Sequence, residues 1–580
     1  MLTRLRLSNF KRFSNVDIEL GQNVVFMGPN NSGKTSALQA LTLWELGLRT
    51  WLAKRGESKA TKRTGVIINR RDVLAAPVPA ANLLWHDLHT RNTQLSGSKK
   101  KTTDIPITIE VMGVSNGSEW TCALEFDLGN SESIYCRPVS IPPPDEAQAV
   151  RVAFLQPMSG LSSNEVRLDQ GAVDVRIGEG KSAEVLRNLC HLVRQQENGE
   201  EAWVQIRDSI RSLFGVDLVE PIYVAARGEL TMTYRERSGA ELDLSNAGRG
   251  LQQTLLLLSY LHLHRGKVLL LDEPDAHLEF LRQSQTFRLV TEVAQKTSGQ
   301  VIIASHSEVV LNEAADKDVV IAFVGKPHRI DDRGTQVVKA LKSIGFEHYL
   351  QAEQTGWVLY AEGSTDVSIL RGFATLLDHP AKAALERPYF FPIGSNEPGR
   401  AREHFYGVRE AVPHLKGVLL VDRLGRPLTA NAPELTELMW KRREIENYLL
   451  SPSTLLAWAA DGDPAADGAK PGTQVPTGTL FSAADRQHRI KVMDKWIGQL
   501  VVPIALKNPG DRWWSDVKAS DEFLDRLFVA YYQELGLPNL MRKSDYHTLV
   551  RFCSVSEIDP EIVEKLDAIA MVASRATPAL

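Results

Sequence analysis

Short apolar runs alternate with longer amphipathic segments along most of this chain. LTRLRLSNF at 2–10, VDIEL at 16–20 and NVVFMG at 23–28 read as strands. From Ser32 onward the apolar residues recur at helical spacing through SALQALTLWELGL, which predicts a helix. The same alternation returns further along, where a predicted helix from Leu251 to His264 is followed by the apolar runs VLLLD and VIIAS. Apolar strands alternating with helices predict an α/β sheet that is buried on both faces.

The rest of the chain divides by its patterning. Strand-like segments fill 105–156, and residues 181–214 have helical periodicity. A second α/β pattern begins with WVLYAEG at 357–363, the Ala-, Gly- and Pro-rich stretch 459–479 is typical of a flexible loop, and the last hundred residues are mostly helical in pattern.

Composition narrows the class of protein. The 580 residues contain 67 Lys and Arg against 71 Asp and Glu, a net charge of −4, with 43% hydrophobic residues, as in ordinary globular proteins. Four widely spaced cysteines indicate neither a zinc site nor a disulfide framework. With no signal-peptide pattern, and no apolar run near the ~20 residues that a membrane span needs, we expect a cytoplasmic protein without a membrane partner.

Two basic segments stand out against this neutral total. Residues 54–71 carry seven Lys and Arg and a single acid, and Lys99, Lys100 and Lys101 form a second cluster. Either segment 54–71 is a solvated surface loop, or it is a DNA-contacting surface whose affinity would depend on salt.

The most specific motif lies between a predicted strand and a predicted helix. It fits G-x-x-x-x-G-K-S/T and comprises Gly28, Asn30, Asn31, Ser32, Gly33, Lys34 and Thr35. Glycines let backbone N–H groups surround phosphates, the lysine reaches the β- and γ-phosphates, and the threonine hydroxyl binds Mg²⁺. The motif predicts an ATP site.

Acids that complete such a site follow the apolar run VLLLD. We expect Asp272 to hold Mg²⁺ and Glu273 to polarise the attacking water. His306 follows the strand VIIAS, at the sheet edge where α/β proteins bind ligands. The segment 245–253, with Ser245, Gly248 and Gly250, opens a helix and suits a γ-phosphate presented by another subunit.

This order of motifs resembles the ABC-type ATPases of the SMC, RecF and OLD group. The resemblance covers residues 1–330 and implies that ATP lies between two heads, so a homodimer or higher homo-oligomer is expected. This chain departs from the group in reading SNAGRG where SGG is usual, and no Q-loop glutamine can be placed. No long coiled coil separates its two halves, which argues against an SMC protein.

Strand-end acids also mark the downstream α/β segment. VLYAEGSTD places Glu362 and Asp366 after one apolar strand, and GVLLVD places Asp422 after another. Carboxylates at one sheet edge bind hard divalent cations. The alternative interpretation of EGSTD is a helix N-cap by Ser364 or Thr365.

Behind an ATPase, this pattern resembles a Toprim domain, and the whole chain resembles the OLD-family nucleases. The resemblance implies metal ligation by Glu362, Asp366 and Asp422, but Leu424 stands where the family has a second aspartate. Glu444 and Glu446 are candidate replacements, on one face of a strand or somewhat apart on a helix, or else they belong to a solvated face. Lys543 is a candidate for the family's phosphate-stabilising base.

We therefore predict an α/β chain with three parts: an ABC/SMC-like ATPase head at 1–345 with a helical dimerisation insert near 180–215, a Toprim domain at 355–455, and a helical region at 456–580 that completes it. The expected activity is ATP-regulated DNA cleavage with Mg²⁺ or Mn²⁺. Family resemblance implies anti-phage defence with an accessory protein or nucleic-acid component. The alternative is a RecF-like DNA-binding ATPase or sensor with a degenerate Toprim domain. A purely structural dimer is disfavoured by the intact phosphate loop.

Overall fold

The chain forms two compact units, Met1–Lys342 and Ser343–Leu580. The computed structural model describes residues 1–56, 65–96, 99–158, 160–161, 164–297, 299–314, 317–330, 345–428, 432–461, 480–505 and 516–578. Residues 57–64 of the basic segment 54–71 and residues 462–479 of the loop 459–479 lie outside these residues, while 459–461 end a helix. The side chains of Lys99, Lys100 and Lys101 are not among those described.

An antiparallel sheet of six strands forms one layer of the first unit. Its strands in spatial order are Phe13–Glu19, Leu2–Phe10, Ile107–Ser115, Ser118–Asn130, Ser133–Pro138 and Val66–Asn69. Buried and more exposed residues alternate strictly through most of Ile107–Ser115. This period of two places one face of the sheet on the core.

A second six-stranded sheet forms the other layer. Its order is Val152–Leu155, Val268–Asp272, Gln300–Ser305, Asn23–Met27, Val319–Ala322 and His328–Arg329, and only the last strand is antiparallel. Every residue of Asn23–Met27, Val268–Asp272 and Gln300–Ser305 is buried, as expected of strands covered on both faces. Because neighbouring strands run parallel, the loops that follow them meet at one edge.

Helices and smaller sheets complete the first unit. The helices are Lys34–Arg55, Asp145–Ala149, Gln170–Gly178, Leu186–Gln195, Gly199–Phe214, Arg249–Leu263, Phe280–Lys296 and Glu308–Ala314. The small sheets pair Glu165–Val166, Glu229–Thr231 and Ile222–Val224, then Asp217–Leu218, Thr233–Arg235 and Glu241–Asp243, and finally Arg91–Ser96 with Lys99–Asp104.

A four-stranded parallel sheet organises the second unit, in the order Phe390–Pro392, Trp357–Ala361, Lys416–Val421 and Leu435–Met439. The α-helices are Phe346–Thr355, Ser364–Leu376, Ala381–Glu386, Pro398–Ala411, Pro452–Asp461, Leu480–Ala505, Asp525–Glu534 and Pro560–Ser574. Ile445–Leu449 and Lys543–Phe552 are 3₁₀ helices, and Ala519–Leu524 is a π-helical turn. One hydrophobic core joins the sheet to this C-terminal region, from Trp357 to Val572. In the part of the chain described, no helix has the length and apolarity needed to cross a bilayer.

A buried histidine in the second unit makes stability depend on pH. His404 is 8% exposed, its Nδ1 lies 2.9 Å from the Tyr360 hydroxyl, and its ring stacks on Phe391. Burial, with smaller contributions from His348 and Arg400, lowers the pKa of His404 to about 3. The unfolded chain binds this proton near the ordinary histidine pKa of about 6.5, so the stabilisation is complete above that pH and is lost as pH falls towards 3.

His404→Gln is expected to flatten that pH dependence, because glutamine keeps a hydrogen-bonding side chain towards Tyr360 but does not titrate. As the pH falls from about 6.5 to 4.5, the free energy of unfolding of the wild type should decrease by up to ~1.4 kcal/mol per pH unit more than that of the variant. Urea unfolding followed across this range measures the difference. Equal slopes for the two proteins would contradict the assignment.

Candidate nucleotide and metal sites

The phosphate loop follows the buried strand Asn23–Met27 and leads into the helix Lys34–Arg55. Lys34 Nζ donates to the carbonyl oxygens of Gly28 at 2.7 Å and Pro29 at 3.0 Å, which folds the lysine back over the loop. Burial lowers the pKa of Lys34, while Glu273, Asp272 and Asp275 act in the opposite direction. A compact ammonium held at a helix N-terminus is a binding site for phosphate.

Two residues of the loop leave no room for a side chain. A Cβ on Gly28 would lie 2.8 Å from the Phe323 carbonyl oxygen, and a Cβ on Gly33, where φ is 107°, would lie 2.7 Å from the Phe13 ring. The Ser32 hydroxyl is buried without a hydrogen-bond partner among the described residues. Close backbone packing and an unused hydroxyl fit a cradle for phosphate oxygens.

Thr35 and Asp272 meet across the loop. The Thr35 hydroxyl donates to the Asp272 carboxylate, at 2.9 Å from Oδ2. Burial raises the pKa of Asp272 to about 6, and the Thr35 hydrogen bond and Lys34 oppose this rise. A hydroxyl beside a carboxylate is the ligand pair that Mg²⁺ takes in phosphate-loop ATPases, so the donors present fit the ion.

Glu273 and His306 face each other from neighbouring strands. Asp272 is in register with Ala304, so the residues after each strand lie side by side, and His306 Nδ1 is 3.5 Å from Glu273 Oε1. The backbone at Glu273 has a φ of 50°, in the left-handed region, while its N–H donates to the Ala304 carbonyl oxygen at 2.8 Å. Both side chains are partly exposed, and Glu273 lines the cavity over the phosphate loop.

A cavity of about 390 Å³ opens over the phosphate loop, and it brings in two cations that the sequence analysis missed. Lys11 and Arg12 line it together with Asn30, Asn31 and Glu273. Arg12 donates to the Asn31 carbonyl oxygen, and burial lowers the pKa of Lys11 to about 8. Both residues occupy the turn between the first two strands. Two neighbouring basic residues in a turn do not indicate from the sequence that they lie beside the phosphate loop.

A larger cavity, about 610 Å³, lies at the opposite ends of the same strands. Its lining includes Asn23, the first residue of its strand, and the ion pair Arg288–Glu313. It contains none of the predicted site residues, so the smaller cavity is the candidate nucleotide site.

The signature segment lies apart from this cavity. Gly248 precedes the helix Arg249–Leu263, Ser245 and Gly248 are exposed and Gly250 is half-buried, and none of the three lines the cavity over Lys34. Gln253, on the same helix, donates to the Pro274 carbonyl oxygen at 3.3 Å, which ties the segment to the loop after Glu273. This exposure leaves the segment free to meet a second molecule.

A buried ion network holds the signature segment against the helical insert. Arg187, 1% exposed, lies 3.6 Å from Glu165 and donates to Asp243 at 2.9 Å, and Asp243 accepts the backbone N–H of Ser245. Burial raises the pKa of Glu165 to about 7 although Asn188 and Arg187 donate to it.

Arg187→Met should destabilise the protein by about 3 kcal/mol, since it leaves a buried carboxylate without its cation. The double variant Glu165→Gln with Arg187→Met should recover more than half of that loss, because the uncompensated charge is gone. Equilibrium urea unfolding of the three proteins tests the pair, and a double variant no more stable than the single one would refute it.

In the second unit the predicted acids gather at the carboxyl edge of the parallel sheet. Glu362 follows Trp357–Ala361 and Asp422 follows Lys416–Val421, two strands paired side by side. Burial raises the pKa of Asp422 to about 9, and Asp366, Glu362, Glu444 and Glu446 each add to the rise. Each of these four acids is therefore near enough to Asp422 for its charge to act on that carboxyl group.

Asp366 also has a structural task. Its Oδ2 accepts the backbone N–H of Gly363 at 3.2 Å, so Asp366, in the first turn, caps the N-terminus of the helix Ser364–Leu376. The capping side chain is therefore Asp366, where the alternative interpretation named Ser364 or Thr365. Burial raises the pKa of Asp366 to about 6, with Glu362 adding to the effect.

Glu444 and Glu446 lie on neither a strand nor an α-helix. Glu444 precedes the tight turn Ile445–Leu449 and accepts the backbone N–H of Ser520 at 2.5 Å, and both glutamates are 3% exposed. Burial and Glu444 raise the pKa of Glu446 to about 8, while Lys543 opposes this. A solvated charged face is thereby excluded. At the position of the missing aspartate, Leu424 donates its N–H to the Met439 sulfur.

The arrangement of these acids is not that of a complete metal-binding site. Among the residues described, no three carboxylate, imidazole or thiol groups are arranged to hold one ion. Asp366 and Glu444 each direct a carboxylate oxygen to a backbone N–H group. The donor set, carboxylate oxygen throughout, fits Mg²⁺ or Mn²⁺ in its chemistry.

Comparisons with known proteins bear on the first unit. A family described as "AAA domain, putative AbiEii toxin, Type IV TA system" matches residues 155–312, which include Asp272, Glu273 and His306. A family described as "AAA ATPase domain" matches residues 1–45, which include Lys34. No curated protein matches the chain.

Among solved structures, the SMC head domain from Thermotoga maritima aligns with 18% identity over 57% of this chain and 98% of that one, with a TM-score of 0.31. An SMC head bound to the C-winged helix domain of ScpA aligns with 12% identity over 57% and 97%, at 0.33. An SMC head with an extended coiled coil, bound to the C-terminal domain of ScpA derived from Pyrococcus furiosus, aligns with 13% identity over 57% and 96%, at 0.32. Both family matches are to AAA-type ATPase domains, in agreement with the phosphate loop and the acids of the first unit.

Proposed function

We propose that this chain is an ATP-dependent, metal-dependent DNA endonuclease of the OLD type. The observation that carries the proposal is that Glu362 and Asp422 follow two neighbouring strands of a parallel sheet, where the charges of Asp366, Glu444 and Glu446 also act on Asp422, in a unit that follows an ATPase domain. Five carboxylates whose charges repel one another cost stability unless a cation joins them. The resemblance to a Toprim domain supports the same conclusion.

The chemistry follows from the donor set. Divalent cations held by these acids would activate a water and neutralise charge on the attacking and leaving oxygens of a phosphodiester. Glu446 is the strongest candidate to stand in for the acid missing at Leu424, because it is buried within the cluster and interacts by charge with Asp366 and Asp422. Lys543 also interacts by charge with Asp366 and Glu446, in keeping with a phosphate-stabilising role.

The proposal extends to how the first unit acts. We infer that the exposed signature segment with Ser245, Gly248 and Gly250 completes the nucleotide site of a second copy, so that ATP holds two heads together. Lys34, Thr35, Asp272, Glu273 and His306 would supply the other half. The ATPase then controls when the second unit cuts, through a homodimer or larger assembly.

Plasmid nicking tests the activity. Supercoiled plasmid is incubated with the full chain and Mg²⁺ or Mn²⁺, with and without ATP, and open-circle product is measured. Glu362→Ala should abolish nicking, while Glu410→Ala, on the exposed face of the helix Pro398–Ala411, should not change it. Absence of nicking by the wild type, or equal nicking by Glu362→Ala, would overturn the proposal.

A second candidate function is a RecF-like DNA-binding ATPase or sensor whose Toprim domain has lost catalysis. Leu424 at the position of an expected acid favours it. This candidate predicts DNA binding and ATP turnover without nicking under any metal.

The proposed biological setting is defence against phage, with an accessory protein or nucleic-acid component. It is supported only by the OLD resemblance. Plaque counts on a host carrying the wild type or Glu362→Ala test it: protection lost in the variant is expected, and equal plaque counts would contradict a nuclease-based defence.

A further inference from the structure

A basic rim with one acid inside it borders the carboxylate cluster. The rim consists of Lys518, Asp521 and Lys543. Lys518 Nζ lies 2.5 Å from Asp521 Oδ2, and Lys543 Nζ lies 4.0 Å from Asp521 Oδ1. The two lysines therefore share one carboxylate, which leaves the rim with a net positive charge.

The rim is attached to the cluster through Ser520. The Ser520 N–H donates to Glu444, and Lys543 donates to the Ser520 hydroxyl at 3.2 Å. Lys518 immediately precedes the π-helical turn Ala519–Leu524, which presents Ser520 and Asp521 on this side. Single π-helical turns are rare and are often found at functional sites.

Exposure separates the rim from the acids behind it. The side chains of Lys518, Lys543 and Asp521 are 42%, 44% and 48% exposed, whereas Glu444 and Glu446 are 3% exposed. A long polymer can reach the rim with its backbone, while only the phosphate to be cut needs to approach the buried acids. Lysines in such a position are suited to phosphates that position a strand rather than react.

We propose that Lys518 binds a DNA backbone phosphate beside the one to be cut, and that Asp521 occupies the place of that phosphate in the DNA-free protein. This inference rests on the proposed nuclease function. Binding exchanges the Lys518–Asp521 ion pair for a Lys518–phosphate pair, so Asp521 weakens DNA binding and Lys518 strengthens it. A merely structural ion pair would make both replacements neutral or harmful.

DNA-binding measurements on four variants of the full chain test this. Each is made in the Glu362→Ala background so that no strand is cut, and fluorescence anisotropy of a labelled duplex is followed against NaCl with Mg²⁺ present. Lys518→Gln should weaken binding about fivefold and lower the slope of log K against log salt by about 1. Asp521→Asn should tighten binding about fivefold.

Lys495→Gln is the matched control, because Lys495 forms a comparable exposed pair with Glu534 at 2.7 Å in the same unit. It should leave affinity unchanged, and Lys518→Arg should bind as the parent does. Wild-type affinity in Lys518→Gln, or weaker binding in Asp521→Asn, would overturn the inference. The nicking experiment tests the nuclease proposal separately. If nicking depends on Glu362 but these affinities do not change, the nuclease proposal stands and the proposed role of Lys518 and Asp521 is wrong.

Discussion

Lys34→Ala is expected to reduce ATP turnover on the order of 1,000-fold. The ammonium sits between two loop carbonyl oxygens, where it would stabilise the charge that develops on a bound nucleotide as the bond to the γ-phosphoryl group breaks. Alanine removes that charge without filling the space, and the loop keeps only its backbone N–H groups. Released phosphate, measured with Mg²⁺-ATP in excess, gives the rate.

Lys296→Ala is the control for that result, since Lys296 is an exposed lysine in the last turn of a helix of the same unit. Its turnover should equal that of the wild type. Nucleotide binding, followed by a fluorescent ATP analogue, separates lost affinity from lost chemistry. Unchanged turnover in Lys34→Ala would mean that the cavity over the phosphate loop does not hold ATP.

Asp422→Asn is expected to have opposite effects on stability and activity. Without metal, asparagine replaces a carboxyl group whose pKa burial and four neighbouring acids raise to about 9. At about pH 8, folding of the wild type requires that Asp422 either takes up a proton or remains charged beside four other acids, and both cost free energy. The free energy of unfolding of the variant should therefore be higher by roughly 2 kcal/mol. Loss of one ligand should lower metal-dependent nicking about 1,000-fold.

Urea unfolding in EDTA and plasmid nicking in Mg²⁺ measure the two effects on the same preparations. Adding Mg²⁺ should stabilise the wild type more than the variant, because the cation relieves repulsion that the variant lacks. Glu410→Ala should change neither property. A variant that is less stable than wild type in EDTA would show that Asp422 is held by favourable contacts instead.

Local sequence was sufficient for the elements that position the chemistry. The apolar run VLLLD lies on the strand Val268–Asp272, and the helix expected from Leu251 to His264 spans Arg249–Leu263. Buried parallel strands have few polar residues, so the first acid after such a run marks the edge of the sheet. That rule pointed to Asp272, Glu362 and Asp422.

Residues that act from a distance could not be found this way. Lys11 lines the cavity over the phosphate loop because two sheets pack together, and the charges of Lys518 and Glu444 interact because the C-terminal region shares the core of the second unit. The capping bond of Asp366 likewise depends on where one helix begins. Pairings of this kind depend on tertiary packing, which neither hydrophobic period nor motif spacing encodes.

The left-handed backbone of Glu273 has a consequence for evolution. A residue with a Cβ costs on the order of 1 kcal/mol there, a cost that glycine avoids and asparagine largely reduces. Laboratory selection for heat resistance alone should therefore favour variants with Gly or Asn at position 273, and these variants should no longer hydrolyse ATP. Glutamate should persist only where turnover itself is under selection, so this single position would record which property a population was chosen for.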